Sequence, residues 1–163
     1  MFDPIRICQV LNEEGVEYVV VGGFATIVHG SVLPTQDIDV VPSRNSDNLD
    51  RLARALRRLG AMIRTDREPV PAPIDGPFLA TMPRMLNLVT EFGDIDLTFE
   101  PSGALGGYAG WRAHAITVEI AEGVVVGVGA LDDIINSKRA ANRPKDQMAL
   151  PYLESLRDEL QGR

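Results

Sequence analysis

The chain has almost no cysteine. Cys8 is the only one in 163 residues, so an intramolecular disulfide is excluded and a reducing compartment is expected. No apolar run approaches the roughly 18 residues of a membrane span. The N-terminus shows no basic stretch followed by an apolar one, so no leader is expected and the reading is a cytoplasmic protein without a membrane partner. A basic surplus is missing too. The net charge of -7 argues against broad capture of a nucleic-acid backbone, although a small basic pocket is compatible with it. There is no Walker-type phosphate loop, no dinucleotide fingerprint, no internal repeat and no low-complexity segment. His29 and His114 stand alone and read as packed or surface residues rather than catalytic ones.

What is present fits one globular domain. Hydrophobic residues make up 45% of the chain and charged ones 24%, and the length suffices for a sizeable core. Asp3-Pro4 predicts a helix start and Gly15 its stop. Glu17 to Val21 is β-branched and aromatic and predicts a strand buried on both faces. Gly22-Gly23 breaks it, a short helix is expected from Phe24 to His29, and Gln36 to Val41 reads as the next strand. Ser46 is the expected cap of a helix from Asp47 to Leu59. Its leucines recur at three- and four-residue steps, and Arg51, Arg54, Arg57 and Arg58 fall on the opposite, solvated side. Pro69, Pro71, Pro73 and Pro77 predict an irregular segment, expected to fold over the functional site. Hairpins are expected over Arg84 to Phe99 and Ala115 to Val128, with a glycine-rich loop between them containing a helical turn near Tyr108 and Trp111. Helices are expected from Leu131 to Ala141 and from Leu150 to Leu160.

The chemistry is concentrated in Val19 to Val41. Strand alternation points Asp37 and Asp39 to the same face, inside an otherwise apolar run. Two carboxylates that close repel each other unless a cation lies between them, and carboxylate oxygens suit Mg²⁺, which also takes phosphate oxygens. A third carboxylate is expected from Gly93-Asp94-Ile95-Asp96. Alternation cannot separate Asp94 from Asp96. Asp96 is preferred because it lies deeper in the strand, whereas Asp94 follows the turn. Glu91 and Glu100 read as solvated. Gly22-Gly23 lets the backbone approach a ligand closely at a helix start. Lys138, Arg139, Arg143 and Lys145 form a cationic cluster suited to a triphosphate. Asp146 reads as a helix cap or a partner of a neighbouring arginine.

These residues together resemble the DNA polymerase β-like nucleotidyltransferase superfamily, with the nearest likeness to its small prokaryotic minimal nucleotidyltransferase and AbiEii-toxin-like groups. The resemblance rests on Val21-Gly22-Gly23, His29-Gly30, Thr35 to Asp39, Phe92 to Leu97 and Lys138 to Asp146, and runs from Glu17 to about Leu156. It implies an α/β (α+β) fold in which a mixed sheet is flanked by helices. It implies catalytic and metal-binding roles for Asp37, Asp39 and Asp96, with Mg²⁺ as cofactor and Mn²⁺ as the alternative. It implies a nucleoside triphosphate gripped by Gly22, Gly23, Ser31, Thr35, Lys138 and Arg139. The reaction implied is nucleotidyl transfer to a hydroxyl of a protein, an RNA such as tRNA or a small molecule, with release of pyrophosphate. A toxin–antitoxin or stress setting, with a cognate toxin or antitoxin as partner, follows by analogy only. The chain departs from the superfamily in one respect: Gly-Gly stands where many members carry Gly-Ser, with Ser31 only later. The contrasting reading is a catalytically idle module that keeps the fold and binds a protein.

Overall fold

The computed structural model describes residues 1–162. The element order is α1 (Pro4–Glu13), β1 (Tyr18–Val21), α2 (Gly22–Val28), β2 (Asp37–Pro42), α3 (Ser46–Arg58), β3 (Met62–Ile63), α4 (Gly76–Ala80), β4 (Met85–Thr90), β5 (Gly93–Thr98), α5 (Tyr108–His114), β6 (Ile116–Ala121), β7 (Val124–Val128), α6 (Leu131–Ala141) and α7 (Pro144–Gln161). The strands form one seven-stranded mixed sheet in the order β3-β4-β5-β2-β1-β7-β6. Strand β1 runs antiparallel to β2 and parallel to β7, and β2 runs parallel to β5. This is the expected α/β domain with a mixed sheet. Among the described residues, no helix is long and apolar enough to cross a membrane.

Alternation along the central strands divides the sheet into two chemically different faces. Ile38, Val40, Ile95, Leu97 and Leu88 are fully buried in the main apolar cluster, together with Leu11 of α1 and Leu52 and Leu56 of α3. Asp37, Asp39, Asp94 and Asp96 occupy the intervening positions and so share the other face. Helices α6 and α7 pack on each other through a small cluster of their own, Leu131, Ile135 and Leu153.

Local chemistry explains where the observed elements differ from expectation. Helix α3 is capped by Asn45, not Ser46, because the Asn45 side chain accepts from the amides of Asp47 and Asn48. The arginines of α3 are clasped to other elements rather than free: Arg51 pairs with Glu17, Arg54 with Glu14 and Arg58 with Glu13, and Arg57 donates to the Ile74 carbonyl. The proline-rich segment does not cover the functional face. Val70 bridges to Ile63 at the sheet edge and α4 packs on α3, so the segment extends the sheet and braces that helix. Helix α7 begins at Pro144, not at Leu150. Proline suits the first helical position and Asp146 caps that turn, while Pro151 is tolerated in the interior at the loss of one backbone hydrogen bond.

Asn48 ties α3 to the sheet. Its side chain is fully buried, accepts from the Glu17 amide at 2.7 Å, and donates to the carbonyls of Glu17 at 3.0 Å and Ser43 at 2.8 Å. Removing it takes the side-chain partner from the Glu17 amide and the Ser43 carbonyl, while the Glu17 carbonyl keeps the Ser43 amide at 3.1 Å. Asn48→Ala is expected to destabilise the protein by about 2–4 kcal/mol, read as a lower urea midpoint at unchanged slope. A loss below roughly 0.5 kcal/mol would show that water or neighbouring groups replace those bonds.

Candidate metal and nucleotide site

Strand register builds the site. In the parallel β2–β5 pair, Asp37 lies opposite Asp94 and Asp39 opposite Asp96. The four carboxylates therefore form a two-by-two block on one face. One ligand oxygen from each of Asp37, Asp39 and Asp96 can be chosen so that all three lie within 4.8 Å of one another. Asp94 lies outside that group, with its carboxylate 3.2 Å from the Arg64 guanidinium.

The neighbours of the triad hold it in place. Gly22 adopts φ +70°, and a Cβ there would run into the Asp39 carboxylate. A Cβ on Gly23 would come within 3.0 Å of the Thr35 hydroxyl. The Thr35 hydroxyl in turn donates to the Asp37 backbone carbonyl at 3.2 Å and lies 3.4 Å from its carboxylate. Both glycines therefore have a packing reason to lack a side chain: they make room for the groups that position Asp37 and Asp39.

Crowding three carboxylates disturbs their protonation. Burial first, then the charges of Asp37 and Asp96, raise Asp39 from the ordinary 3.8 to about 7, against the opposing charge of Lys145. Burial also raises Asp96, although Arg64 donates to its Oδ1 at 2.7 Å and pulls the other way. An all-oxygen donor set whose negative charge is only partly relieved fits a hard divalent cation. The residues present therefore suit a metal of that class.

A cleft of about 780 Å³ opens over the triad. Val21, Gly22, Gly23 and Thr35 line it near the carboxylates, and Arg64, Arg84, Asn87 and Thr98 line the β4–β5 side. Ser137, Lys138, Arg143 and Lys145 come from the α6–α7 junction, with Trp111 and Ile134 beside them. An acidic protein thus gathers five cationic side chains around one concavity. Asp146 organises two of them. It is fully buried, accepts from Arg143 Nε at 2.7 Å and from the Arg143 amide at 3.1 Å, and lies 3.7 Å from Lys138 Nζ. Burial would raise its pKa, but the Arg143 side chain and amide, with Lys138, hold it below the usual value.

The remaining expected site residues fall elsewhere. Ser31 is buried, accepts from the Leu33 amide at 3.1 Å and is not part of the cleft wall. Arg139 points away, donating to Asn136 and Glu154 at 3.0 Å each. Glu100, read as solvated, sits at the cleft rim. His29 is packed against the Gly129 carbonyl at 2.8 Å, and His114 pairs with Asp133 on the surface. Sequence reasoning missed Arg64 and Trp111 as cleft residues. Arg64 follows a strand of two residues in a region dominated by prolines, which leaves no periodic signal. Trp111 was placed in a helical turn but not on the cleft.

The chain matches no protein-family model and no curated protein. Its structure is similar to that of a Thermotoga maritima protein described as a "putative nucleotidyltransferase", with a TM-score of 0.52 and 15% sequence identity over 100% of this chain and 97% of that one. At that identity the likeness shows a nucleotidyltransferase-like fold.

The raised Asp39 carboxyl predicts a pH dependence. A group whose folded value lies above its unfolded value stabilises fully below the unfolded value, and that contribution is lost as pH rises through the folded one. Metal-free protein is therefore expected to lose stability between about pH 4 and pH 7 through Asp39. Asp39→Asn should flatten that part of the profile and raise the melting temperature at neutral pH, because no ionised carboxylate is then forced beside Asp37 and Asp96. Melting curves in chelator from pH 4 to 8 check this. A variant that tracks wild type across the range would show that the cluster relaxes its repulsion in another way.

Proposed function

We propose that the protein is a divalent-metal-dependent nucleotidyltransferase that moves a nucleoside monophosphate from a nucleoside triphosphate to a hydroxyl group. The observation that carries this reading is the register pairing of Asp39 with Asp96, which assembles the carboxylate triad at the floor of a cleft walled by cations. The nucleotidyltransferase-like fold and the matching sequence motifs support it.

Asp37, Asp39 and Asp96 would hold Mg²⁺, or Mn²⁺ in its place, and that ion would supply charge neutralisation at the reacting phosphate. The residues of the chain supply the rest. Lys138, Arg143 and Lys145 lie on the wall opposite the sheet, where a triphosphate laid over the triad meets them. Asp146 keeps Arg143 in place while the guanidinium still lines the cleft. Gly22 and Gly23 bring the backbone to the cleft without side chains in the way. The attacking hydroxyl oxygen bonds to the α-phosphorus, the bond from that phosphorus to pyrophosphate breaks, and Asp96 is the group assigned to take the hydroxyl proton. Ser31 and Arg139 belong to the nucleotide grip only if the loop after α2 and the end of α6 move on binding. Lys138 and Thr35 need no such movement. The acceptor classes remain protein, RNA and small molecule, with the acidic surface favouring the first and last. The toxin–antitoxin setting and its partner protein rest on the resemblance, and copurification of a cognate protein from host lysate is the test.

Trp111 is the only tryptophan and borders the cleft from a buried position, so its fluorescence is the expected reporter of ligand entry. Titration with nucleoside triphosphates is expected to change that fluorescence only with Mg²⁺ present. Lys138→Ala should weaken the response about tenfold or more, equivalent to roughly 1.4 kcal/mol or greater. Unchanged affinity would remove Lys138 from the binding site. Incubation with labelled ATP, CTP, GTP and UTP in host lysate then identifies what becomes labelled.

Asp96→Asn is expected to remove transfer while retaining much of the nucleotide affinity, and Asp94→Asn to keep substantial activity. Equal loss in the two variants would contradict the separate roles assigned to them. Metal-independent nucleotide binding, equal in wild type and Asp37→Asn, would overturn the metal-dependent reading and leave a binding module.

A further inference from the structure

The β5 half of the carboxylate block carries its own cation. Arg64 leaves the short edge strand β3 with its amide bound to the Asn87 carbonyl of β4 at 3.0 Å, so its backbone is fixed to the sheet. Its guanidinium reaches across β4 and bridges the two aspartates of β5, one nitrogen 2.7 Å from Asp96 Oδ1 and the other 3.2 Å from Asp94 Oδ2. The first contact is a hydrogen bond. The second nitrogen is buried without a hydrogen-bond acceptor in good geometry, so Asp94 holds it by charge. Burial works against the charge on Arg64, and Asp96, Asp94 and Asp37 more than offset that, keeping its pKa above the ordinary value.

With every carboxylate ionised, as a bound cation would require, four carboxylates and one guanidinium leave three net negative charges in the block. One divalent ion is welcome there. A second, before any nucleotide brings its own negative charge, would leave the block positive, and it is the Arg64 charge that tips the balance. Asp96 Oδ1 is also already engaged, which removes one of the oxygens a second ion would use.

We infer that Arg64 is a resident counter-ion that confines the nucleotide-free carboxylate block to one divalent ion. The inference rests on the metal-site reading of Asp37, Asp39 and Asp96. It also gives Asp94 a role: it anchors Arg64 rather than metal. Arg64 thereby leaves room for a second ion only when a triphosphate arrives with it.

The test is Mn²⁺ binding to nucleotide-free protein, counted by electron paramagnetic resonance of the free ion, with melting curves in chelator beside it. Wild type is expected to bind one Mn²⁺. Arg64→Gln should bind its first Mn²⁺ about tenfold tighter or more and take up a second, because a neighbouring positive charge is gone and Asp96 Oδ1 is free. Without metal it should melt several degrees below wild type and regain that loss on Mn²⁺ addition. Arg64→Lys keeps the charge and should keep the stoichiometry of one, and a cooperative melting curve for Arg64→Gln shows that the glutamine variant is folded. Two ions on wild type would overturn the inference while leaving the metal site standing. Equal affinity and stoichiometry in wild type and Arg64→Gln would do the same. Weaker binding by Arg64→Gln that Arg64→Lys restores would make the arginine an orienting group, again contradicting the counter-ion role. No Mn²⁺ on any of the folded proteins would overturn the metal site itself.

Discussion

Repulsion among aspartates placed side by side on two parallel strands is the constraint around which the site is built. Asp39 and Asp96 face each other by register, and Asp37 and Asp94 repeat the pairing two residues along. Hydrogen bonding of β2 to β5 enforces this closeness, and the apolar positions between the aspartates drive it, since Ile38 and Ile95 are fully buried on the other face. A one-residue slip of either strand would turn its carboxylates into the core and its isoleucine into the cleft, which the apolar core forbids. The hydrophobic effect thus supplies the free energy that holds like charges together, and the surrounding cations relieve only part of the repulsion.

The same logic runs in reverse at the α6–α7 junction. There a single buried carboxylate, Asp146, gathers positive charge. A carboxylate so deeply placed would be costly alone, and Arg143 and Lys138 compensate it. Its second effect is to keep those cations near one another in a chain of net charge -7, at a place where bulk electrostatics would not gather them. Aspartate on the sheet and aspartate on the helix therefore play opposite parts. The first set creates a negative floor, and the second anchors a positive wall above it. A ligand carrying both bound metal and phosphate charge complements such a cleft, whereas a simple anion or a simple cation satisfies only one side of it.

Much of this was legible in the sequence because it is periodic. Alternation placed Asp37 with Asp39 and Asp94 with Asp96, and depth along the strand favoured Asp96 over Asp94. Helix α6 was read with the bounds it has, because its inward residues Leu131, Ile134 and Ile135 follow helical spacing. What escaped has no period. Arg64 acts through a two-residue edge strand, and nothing local marks it as facing β5. The proline-rich segment carried breaker signals but no direction, and it packs along α3 and the sheet edge instead of over the cleft. Arg139 lies in the matched basic segment and Ser31 is the serine that follows the turn, but their side chains are engaged elsewhere, with Asn136 and Glu154 and with the Leu33 amide. A motif match assigns a residue to a neighbourhood, and only its hydrogen bonds decide which way the side chain turns.

The glycine pair Gly22-Gly23 has a physical cause in the chain itself. Here a side chain at the second glycine would press on Thr35, which orients Asp37, and one at the first would strike Asp39. The hydroxyl near the turn is therefore supplied by Thr35, from the loop leading into β2, and not by the turn. Thr35 lines the cleft while its hydroxyl donates to the Asp37 backbone, so one side chain both sets the carboxylate strand and faces the space where a phosphate would lie. The absence of side chains at the turn and the presence of threonine before the aspartates are then two sides of one packing solution.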